Sequence, residues 1–534
     1  MKLIRISSFI VSTILFFVVS VNGQPWHSGG LLSEYQQGFD VHFYDINLEI
    51  HPEKQFISGF VDVYAFALKD SIRVIELDLV NHYEVEFVMH EGKQLEFSHK
   101  KDKLIAYLPS ELMEGETATL RVIYSGNAPV AQRPPWDGGF NWSKDPDGNH
   151  WIGVSCQMEG AKLWLPVKDH PISRADSVAI NITVPAPYVV ATNGLLVDIT
   201  ETEDKQTYHW FTGYPIHNYN ISINVALFEQ FEKSYLTEYG TLMPVVFYVL
   251  PQYRQHADEI LDMTIEKLKH LRRYFGEYGF TREKFGLVHT YYLGMEHQTI
   301  NSYGNGFDYF TKNGKSYDWL LLHEMGHEWW GNLITIRDWA DFWIHEGITT
   351  FTDALFLWDF YSPELYHEKI REYAPRISNR QPIIPWENAT SRDVYNHDIY
   401  YKGAYFMHTL SYVLGRPTFL NILRSFVDQN RYGYTSTLEF RTFFERFSGM
   451  DLEGLFNLYL YGTDYPEIQI KQIESGRYEI SIPNIDFILP MDILTSNGIS
   501  RNYLSSEPIQ ILSYELPIVD PEAWYLKRVI HLKQ

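Results

Sequence analysis

The segment His323-Glu324-Met325-Gly326-His327, followed at a distance by Glu346, decides how this chain should be interpreted. Two histidines four positions apart on one helix project from the same face, so both imidazoles can reach one metal ion. Eighteen residues, 328 to 345, separate His327 from Glu346, which is enough to end this helix and begin the next. Two histidines and one glutamate leave the fourth position of a tetrahedral zinc ion open, which is typical of a catalytic site. Glu324 then stands beside the metal as a general base for a bound water.

The residues around this segment predict a buried helix. From Ser316 to Trp330 there is no proline, and the positions beside the histidines are mostly apolar. A buried helix that carries two histidines and two glutamates needs partners for them, because unpaired buried polar groups are costly. A hydrogen-bonded pair of core histidines without a metal is the alternative interpretation. It explains neither the carboxylate of Glu346 nor its spacing.

The same region resembles a known enzyme family. The run from His323 to Asn332, then Trp339, then the run from Phe342 to Gly347 are similar to the zinc-binding helices of the membrane alanyl aminopeptidase family. That family also contains the leukotriene-hydrolase type enzymes. The resemblance implies one Zn²⁺ ion, a catalytic base and three metal ligands, which are, in this sequence, Glu324 as the base and His323, His327 and Glu346 as the ligands.

Upstream, Gly294-Met295-Glu296-His297 resembles the exopeptidase signature of the family, which usually reads Gly-x-Met-Glu-Asn. The segment follows a strand-like run from Phe285 to Tyr292, so it fits an edge strand along which a peptide can lie. The resemblance implies that Gly294 and Met295 contact the substrate and that Glu296 binds its free α-ammonium group, which a carboxylate in a poorly hydrated cleft does well. Leu293 and His297 depart from the usual glycine and asparagine, which leaves specificity open. An ordinary surface carboxylate is the alternative for Glu296.

Three further residues complete the predicted site. Tyr400-Tyr401-Lys402-Gly403 resembles the Tyr-x-Lys-Gly motif of the family, whose first tyrosine donates a hydrogen bond to the reaction's oxyanion, and that residue is Tyr400 here. Gln157-Met158-Glu159 resembles a Gln-x-Glu segment whose second polar residue helps to bind the amine, which points to Glu159. Asp353 lies seven positions after Glu346 on the same helix face and could support a ligand histidine. An exposed or capping role for Asp353 is the alternative.

Composition and charge limit the other functions. The 534 residues exceed what one core can hold, and the formal net charge of −23 without a basic run makes nucleic acid an unexpected partner. Residues 1–23 resemble a secretory signal peptide, with Lys2 and Arg5 before an apolar run, so we expect a secreted, periplasmic or extracellular protein. An uncleaved membrane anchor is the alternative. No later segment predicts a membrane span, and the single cysteine, Cys156, excludes an intrachain disulfide.

The periodicity of apolar residues predicts a multidomain α+β protein. Alternation in the first part predicts an N-terminal β-sandwich or saddle domain over 24–230, and helical spacing predicts a mostly helical, thermolysin-like domain over 231–464. Alternation returns in a small C-terminal β-sandwich domain over 465–534. Larger relatives carry a long C-terminal helical domain, and we expect none here, so the cleft should be more open.

The sequence therefore predicts a zinc aminopeptidase acting on peptides with a free N-terminus. Two other functions stay open. A zinc endopeptidase with the same ligands and an open cleft would cut blocked peptides. A non-catalytic scaffold would use the fold to bind partners. Oligomeric state and the preferred side chain at the first position of the substrate stay open as well.

Overall fold

The computed structural model describes residues 26–312 and 314–532. The predicted signal peptide over 1–23 lies outside these described residues. Strands dominate the chain up to Val249, helices dominate from Ala257 to Tyr461, and strands return from Glu467. This order matches the order of element types that the periodicity predicts.

The N-terminal region is built on an eight-stranded sheet whose alternating residues face the core. In the strand Phe39–His51, four apolar side chains at every second position are at most 2% exposed (Tyr44, Ile46, Leu48 and Ile50). The strands of this sheet are, in spatial order, Leu195–Glu201, Lys205–Thr212, Ser177–Pro185, Phe39–His51, Phe56–Ala67, Thr117–Asn127, Tyr83–His90 and Lys93–Gln94. Smaller sheets cover it, formed by Ile72–Asp78, Lys103–Leu112 and Glu96–Lys100; by Val189–Ala191, Asn224–Ala226, His150–Ser155 and Gly139–Lys144; and by Arg174–Ala175 and Ile216–His217.

A five-stranded sheet leads from this region to the helices. Its strands are Glu229–Leu236, Leu242–Val249, Phe285–His289, Asn301–Tyr303 and Gly294–Met295, in spatial order. The strand Gly294–Met295 lies at the edge and pairs antiparallel with Asn301–Tyr303 on one side only. Its other side is free to accept a peptide by strand addition. The predicted strand over Phe285–Tyr292 is shorter, because the chain turns after His289 to reach this edge.

The helical region follows this sheet. Its helices are α1 (Ala257–Phe275), α2 (Trp319–His327), α3 (Trp343–Phe360), α4 (Pro363–Tyr373), α5 (Ser391–Val394), α6 (His397–Leu414), α7 (Arg416–Asn430), α8 (Thr437–Ser448) and α9 (Glu453–Phe456). Short helical segments of three to six residues occur at Gln36–Gly38, Pro52–Lys54, Ala161–Leu163, Asn218–Asn220, Pro251–His256, Trp339–Asp341, Ala374–Arg376 and Asn457–Tyr461. Short strand pairs join Phe310–Lys312 to Lys315–Tyr317 and Thr335–Ile336 to Tyr434–Thr435.

Helices α3 and α6 touch through two glycines, and this contact brings two parts of the predicted site together. A Cβ atom added to Gly347 would lie 2.9 Å from the Cα atom of Gly403, so neither position has room for a side chain. Gly347 directly follows Glu346, and Gly403 lies one turn after Tyr400. The close approach therefore sets the distance between Glu346 and Tyr400.

The C-terminal region contains two sheets that pack beside the helices. One has the strands Ile509–Leu512, Arg477–Ser481, Glu467–Glu474 and Arg528–Leu532, and the other has Gly498–Leu504, Leu489–Thr495 and Ile518–Val519. Trp524 of this region stacks on Tyr412 of α6, with ring centres 4.9 Å apart. In residues 26–312 and 314–532, we find no helix whose length and apolar character would let it cross a membrane.

Candidate active site

Helix α2 carries the two histidines and begins at a defined cap. The carboxylate of Asp318 accepts a hydrogen bond from the backbone N–H of Leu321 at 3.0 Å, and the preceding residues belong to a strand. The helix is therefore shorter at both ends than the predicted Ser316–Trp330. His323 and His327 lie one turn apart on it, and their Nε2 atoms are 3.3 Å from each other.

Helix α3 supplies the third group. Oε2 of Glu346 lies 3.6 Å from Nε2 of His323 and 3.3 Å from Nε2 of His327. A tetrahedral zinc ion with bonds near 2.05 Å separates its ligand atoms by about 3.3 Å. This Glu346 oxygen is buried and has no hydrogen-bond partner among the described residues. The triangle of ligand atoms therefore has the dimensions and the donor chemistry that fit one zinc ion.

The outer nitrogen of each histidine has a partner that fixes the ring. Nδ1 of His323 lies 3.1 Å from Oδ2 of Asp353, and Nδ1 of His327 lies 3.0 Å from the carbonyl oxygen of Trp330. Both partners are acceptors, which assigns the proton of each neutral ring to Nδ1 and directs the Nε2 lone pair into the triangle. Asp353 is thus placed behind His323, in the supporting position considered for it.

The charges in this centre separate the roles of two glutamates. Burial raises the pKa of Glu324 to about 8, although His323 and His327 oppose the rise. Burial also disfavours the charge of Glu346, but the same histidines outweigh this effect and hold the pKa of that carboxyl below its usual value. This lowering comes from histidines that are protonated in the absence of a metal; when the rings are neutral around a bound dication, the charge of the dication acts on both carboxyls in the same direction. Glu346 is therefore the ionised group, and Glu324 is the group that can take up a proton.

Glu296 follows the edge strand and is held in a polar pocket. The hydroxyl of Tyr219 donates to Oε1 of Glu296 at 3.1 Å, and Nε2 of Gln157 donates to the same oxygen. The backbone carbonyl of Glu296 accepts from the side chains of Asn220 at 2.8 Å and Asn332 at 3.1 Å. Burial raises the pKa of this carboxyl. Glu296 is a fixed, buried carboxylate beside the metal triangle, not an ordinary surface one.

Four of these supporting residues were not predicted from the sequence. Gln157 also reaches Oε1 of Glu346 at 3.4 Å, so it links Glu346 of the metal triangle to Glu296. The sequence does offer a signal for Gln157, because it is the first residue of the Gln157-Met158-Glu159 motif. Tyr219, Asn220 and Asn332 carry no signal of their own, because a single tyrosine or asparagine is common in any chain.

The structure does not place Glu159 in the cleft, contrary to the prediction. Its Oε1 accepts from the guanidinium of Arg392 at 2.6 Å, and its Oε2 accepts from the backbone N–H of Gly138 at 2.9 Å. Burial raises the pKa of Glu159 to about 7, while Gly138 and Arg392 act against the rise. Both oxygens are engaged away from Glu296, and Gln157 occupies the place beside Glu296 instead.

The side chains of Tyr400 and Tyr401 point in different directions. The ring of Tyr400 lies nearly parallel to that of His323, with centres 6.5 Å apart, and its hydroxyl is 3.4 Å from that of Tyr395. The hydroxyl of Tyr401 instead accepts from Arg376 at 2.8 Å. The structure thus brings Tyr400 to the metal triangle, and it turns Tyr401 towards another wall.

A cavity of about 780 Å³ joins these groups. Gly294 and Met295 line it, and a Cβ atom on Gly294 would lie 2.2 Å from Oε1 of Glu324, so the edge strand passes directly against this carboxylate. Leu293 lines the cavity too, whereas the ring of His297 is buried behind the strand with Nδ1 3.2 Å from Oγ of Ser302. The remaining walls are formed by residues that include Arg133, Pro135, Trp136, Met158, Trp319, Leu320, Thr350, Lys369, Tyr373 and His397.

Comparisons with known proteins agree with this geometry. Residues 41–219 match the family model described as Peptidase M1 N-terminal domain, and residues 259–459 match the one described as Peptidase family M1 domain. Together the two matches cover more than half of the 534 residues.

Curated relatives are similar over the same region. Endoplasmic reticulum aminopeptidase 1 of Homo sapiens is 25% identical over 363 residues, which are 63% of this chain and 37% of the relative. Aminopeptidase N of Caulobacter vibrioides is 24% identical over 57% of this chain and 37% of its own. Aminopeptidase 2, mitochondrial, of Saccharomyces cerevisiae is 23% identical over 68% and 41%. The chain spans about two fifths of the length of these relatives.

Solved structures confirm the predicted fold class. An M1 zinc metallopeptidase of Deinococcus radiodurans superposes with a TM-score of 0.69 at 23% identity, covering 82% of this chain and 96% of the other. A mutant of the Deinococcus radiodurans M1 zinc metallopeptidase, with a Tyr-Ser-Ala substrate bound, superposes with a TM-score of 0.68 at 22% identity, over 80% and 96%. The β-rich N-terminal region and the helical region that follows it are therefore those of a known two-part architecture.

Proposed function

This chain belongs to peptidase family M1, and from that premise we propose that it is a zinc-dependent aminopeptidase that removes N-terminal residues from peptides. One observation carries the proposal. The triangle of His323, His327 and Glu346 has the dimensions of a zinc site. Beside it, a carboxylate oxygen of Glu296 lies within 4.8 Å of a carboxylate oxygen of Glu324 and of a ring nitrogen of His327. A metal site next to a buried anion suits a substrate whose cation lies one residue from the bond that is cut.

In this proposal, the substrate is oriented by its free amine. The α-ammonium group lies against Glu296, whose position is fixed by Tyr219, while the amide of Gln157 lies on the other side of the same oxygen. The peptide continues along the free side of the edge strand Gly294–Met295. An internal segment of a protein has no cation to place at Glu296, so this carboxylate would remain buried without a counter-charge.

The proton transfers belong to Glu324. When bound, zinc supplies Lewis acidity, which makes a water nucleophilic near neutral pH and polarises the peptide carbonyl. Glu324 takes the proton of the water at its carboxylate and delivers it to the leaving nitrogen. The hydroxyl of Tyr400 donates a hydrogen bond to the oxygen of the carbonyl that is attacked. This hydrogen bond lowers the barrier by about 3 kcal/mol.

The two alternatives make different predictions. An endopeptidase would cut a peptide whose N-terminus is acetylated, and the buried, fixed position of Glu296 counts against it. A non-catalytic scaffold would not need the metal triangle, and the unpartnered oxygen of Glu346 counts against that. The decisive assay compares free and N-acetylated peptide amides, with and without a chelator. Equal rates on the two substrates would contradict the aminopeptidase proposal.

The variant Glu296→Ala tests the assignment of the amine site. It should lower kcat/KM for the free peptide by at least about tenfold, because a charge-assisted contact is lost, while zinc stays bound. The matched control is Glu232→Ala, which removes an exposed carboxylate from the same sheet. Loss of zinc in Glu296→Ala would assign Glu296 to the metal site instead.

We also propose that the protein is exported. The support is the pattern of residues 1–23, with two cations before an apolar run. Expression of the full chain with fractionation tests this, and N-terminal sequencing of the mature protein should find it to begin at Gln24. A protein that starts at Met1 and stays with the membrane fraction would point to the uncleaved anchor.

A further inference from the structure

Residues 26–30 form a strap that lies between the N-terminal β region and the helical region. On the β side, the backbone N–H of Ser28 donates to the carbonyl of Met158 at 3.0 Å, and that of Gly29 donates to the carbonyl of Asp169 at 3.3 Å. The hydroxyl of Ser28 also donates to Oδ1 of Asp169 at 2.9 Å. A segment that precedes the first strand of a domain is often poorly ordered unless it is tied down, so these hydrogen bonds call for an explanation.

The helical region holds the same strap from the other side. The N–H of Gly30 donates to the carbonyl of Ala389 at 3.2 Å, and the N–H of Ser391 donates to the carbonyl of Ser28 at 2.9 Å. Ser391 is the first residue of α5 and lies 233 residues from Met158 in the chain. The strap therefore connects two distant parts of the chain.

The hydroxyl of Ser391 joins the strap, α5 and the β region at one point. Its Oγ accepts from the N–H of Ser28 at 3.0 Å and donates to the carbonyl oxygen of Met158. That oxygen also accepts from the N–H of Ser28, so both of its lone pairs are used. All three residues are at most 2% exposed, so a lost donor is not readily replaced by water. The backbone of Met158 is thus fixed from behind.

Fixing Met158 also fixes the residue before it, which reaches the proposed amine site. The amide of Gln157 donates to Oε1 of Glu296 and lies 3.4 Å from Oε1 of Glu346. A shift of the Met158 backbone would move this amide relative to both carboxylates. Small displacements of a positioning group are costly to an enzyme, even when they begin far from the reacting atoms.

The residue after Met158 is tied to the strap as well. Glu159 accepts from the guanidinium of Arg392 at 2.6 Å, and the same guanidinium donates to the carbonyl of Trp26 at 3.1 Å. The whole segment from Gln157 to Glu159 is therefore held by the strap and α5 on the side opposite to the cleft.

A second contact of the strap lies behind Tyr219. Gly29 has a φ of +79°, and a Cβ atom there would lie 2.3 Å from Cδ1 of Trp339. The ring centre of Trp339 is 6.0 Å from that of Tyr219, whose hydroxyl donates to Glu296. Both side chains that donate to the Glu296 carboxylate therefore have the strap behind them.

We propose that the strap positions Gln157 for recognition of the substrate amine, which makes Ser28 and Ser391 positioning residues of this site. The inference rests on the proposed aminopeptidase function and adds a requirement to it. A strap that served stability alone would lower the resistance to unfolding when it is loosened, and it would leave recognition of the amine unchanged.

The first test removes the shared hydroxyl from the zinc-loaded full chain. Ser391→Ala should raise KM for Ala-Ala-Ala-NH₂ about fivefold and change kcat less than twofold, because Glu296 binds the ammonium before and during the reaction alike. Ser391→Thr keeps the hydroxyl and should restore KM. The matched control is Ser411→Ala, which removes a buried hydroxyl that donates to the carbonyl of His408 at 2.7 Å, and it should leave KM unchanged. An unchanged KM in Ser391→Ala would overturn the proposal.

The second test asks whether the effect passes through Gln157. If it does, the double variant Ser391→Ala, Gln157→Ala should have the KM of Gln157→Ala alone. Two factors that multiply would show that Ser391 acts independently of Gln157, and the proposal would be wrong.

The third test changes the strap itself. Gly29→Ala should raise KM as Ser391→Ala does, because its Cβ atom pushes the strap away from Trp339. The matched control is Gly92→Ala, at a φ of +74° with no atom within 4 Å of the added Cβ, so it introduces the same backbone strain without the contact. Equal KM values in the two variants would contradict the role of the strap.

Hydrogen exchange separates this inference from the proposed function. Residues 156–160 include the N–H of Gly160, which donates to the carbonyl of Cys156 at 2.7 Å. Their amides should exchange about tenfold faster in Ser391→Ala than in the unaltered protein or in Ser411→Ala. If the unaltered protein cut no free peptide while this difference was present, the aminopeptidase would be refuted and the hold of the strap supported. Unchanged exchange in an active enzyme would count against the strap alone.

Discussion

Two substitutions of Asp353, the residue behind His323, should weaken zinc binding by different amounts. Oδ2 of Asp353 lies 3.1 Å from Nδ1 of His323 in a buried position, while His327 relies on the backbone carbonyl of Trp330, which no side-chain substitution removes. Partners of this kind contribute tenfold to 100-fold to metal affinity. Only one of the two histidines is affected by a change at Asp353.

The size of each step follows from what the substitute keeps. In Asp353→Asn the amide oxygen still accepts from Nδ1, so ring orientation is retained and only the negative charge is lost. We expect zinc affinity to fall about tenfold, or about 1.4 kcal/mol. In Asp353→Ala the acceptor is lost too, His323 is free to rotate, and we expect about 100-fold.

Competition with a chromophoric chelator measures both variants against the unaltered protein. The matched control is Asp359→Asn on the same helix, whose carboxylate pairs with Arg416 at 3.1 Å and does not touch a histidine. It should leave zinc affinity unchanged. If Asp353→Ala bound zinc as tightly as the unaltered protein, the reasoning about the outer nitrogen would be refuted. If the Asn and Ala variants lost the same amount, charge would be the whole effect.

Two further substitutions probe the packing of the site and the pH dependence of stability. Gly294→Ala places a Cβ atom 2.2 Å from Oε1 of Glu324, so the base must move, and kcat should fall about 100-fold with zinc content unchanged; a change of less than twofold would contradict this. Burial raises the pKa of Asp341 from 3.8 to about 6, although hydrogen bonds from Thr437 oppose the rise, so folding disfavours its ionised form and stability falls as the pH rises through this interval. Asp341→Asn removes that effect. In urea unfolding, the free energy of unfolding of the variant minus that of the unaltered protein should therefore be about 1.4 kcal/mol larger at pH 7.5 than at pH 5. A difference between the two proteins that does not change with pH would contradict this.

The parts of the site that the sequence predicts are those fixed by local geometry. The helical spacing of His323 and His327 requires both rings on one face, whatever the rest of the chain does. The alternation in Phe39–His51 carries information in the same way, since the period of a strand determines which side chains share a face. The gap to Glu346 predicts only that the third group comes from the next helix. Tyr400 is selected over Tyr401 by a different route, the resemblance of Tyr400-Tyr401-Lys402-Gly403 to the family's Tyr-x-Lys-Gly motif.

Residues that act through distant contacts leave no comparable signal. Gln157 and Tyr219 meet at one oxygen of Glu296, although 139 and 77 residues separate them from it in the chain. Their partner is determined by how the N-terminal sheets pack against the edge strand, and one sequence without its fold does not contain that register. The start of α2 differs from the sequence expectation for a related reason, since the side chain of Asp318 caps the helix and so sets its first residue.

The misplacement of Glu159 shows how a long-range charge overrides a local motif. A buried carboxylate takes the strongest donors it can reach, and Arg392, 233 residues further along the chain, offers a charge-assisted bond at 2.6 Å. Turning Glu159 towards the cleft would leave Arg392 without its buried partner and the N–H of Gly138 unsatisfied, a loss of several kcal/mol. The neutral Gln157 therefore stays beside Glu296, and the proposed amine site has the carboxylate of Glu296 without that of Glu159. In Glu296→Ala, Glu159 therefore cannot take over the proposed contact with a free N-terminus, because both of its oxygens are engaged by Arg392 and Gly138.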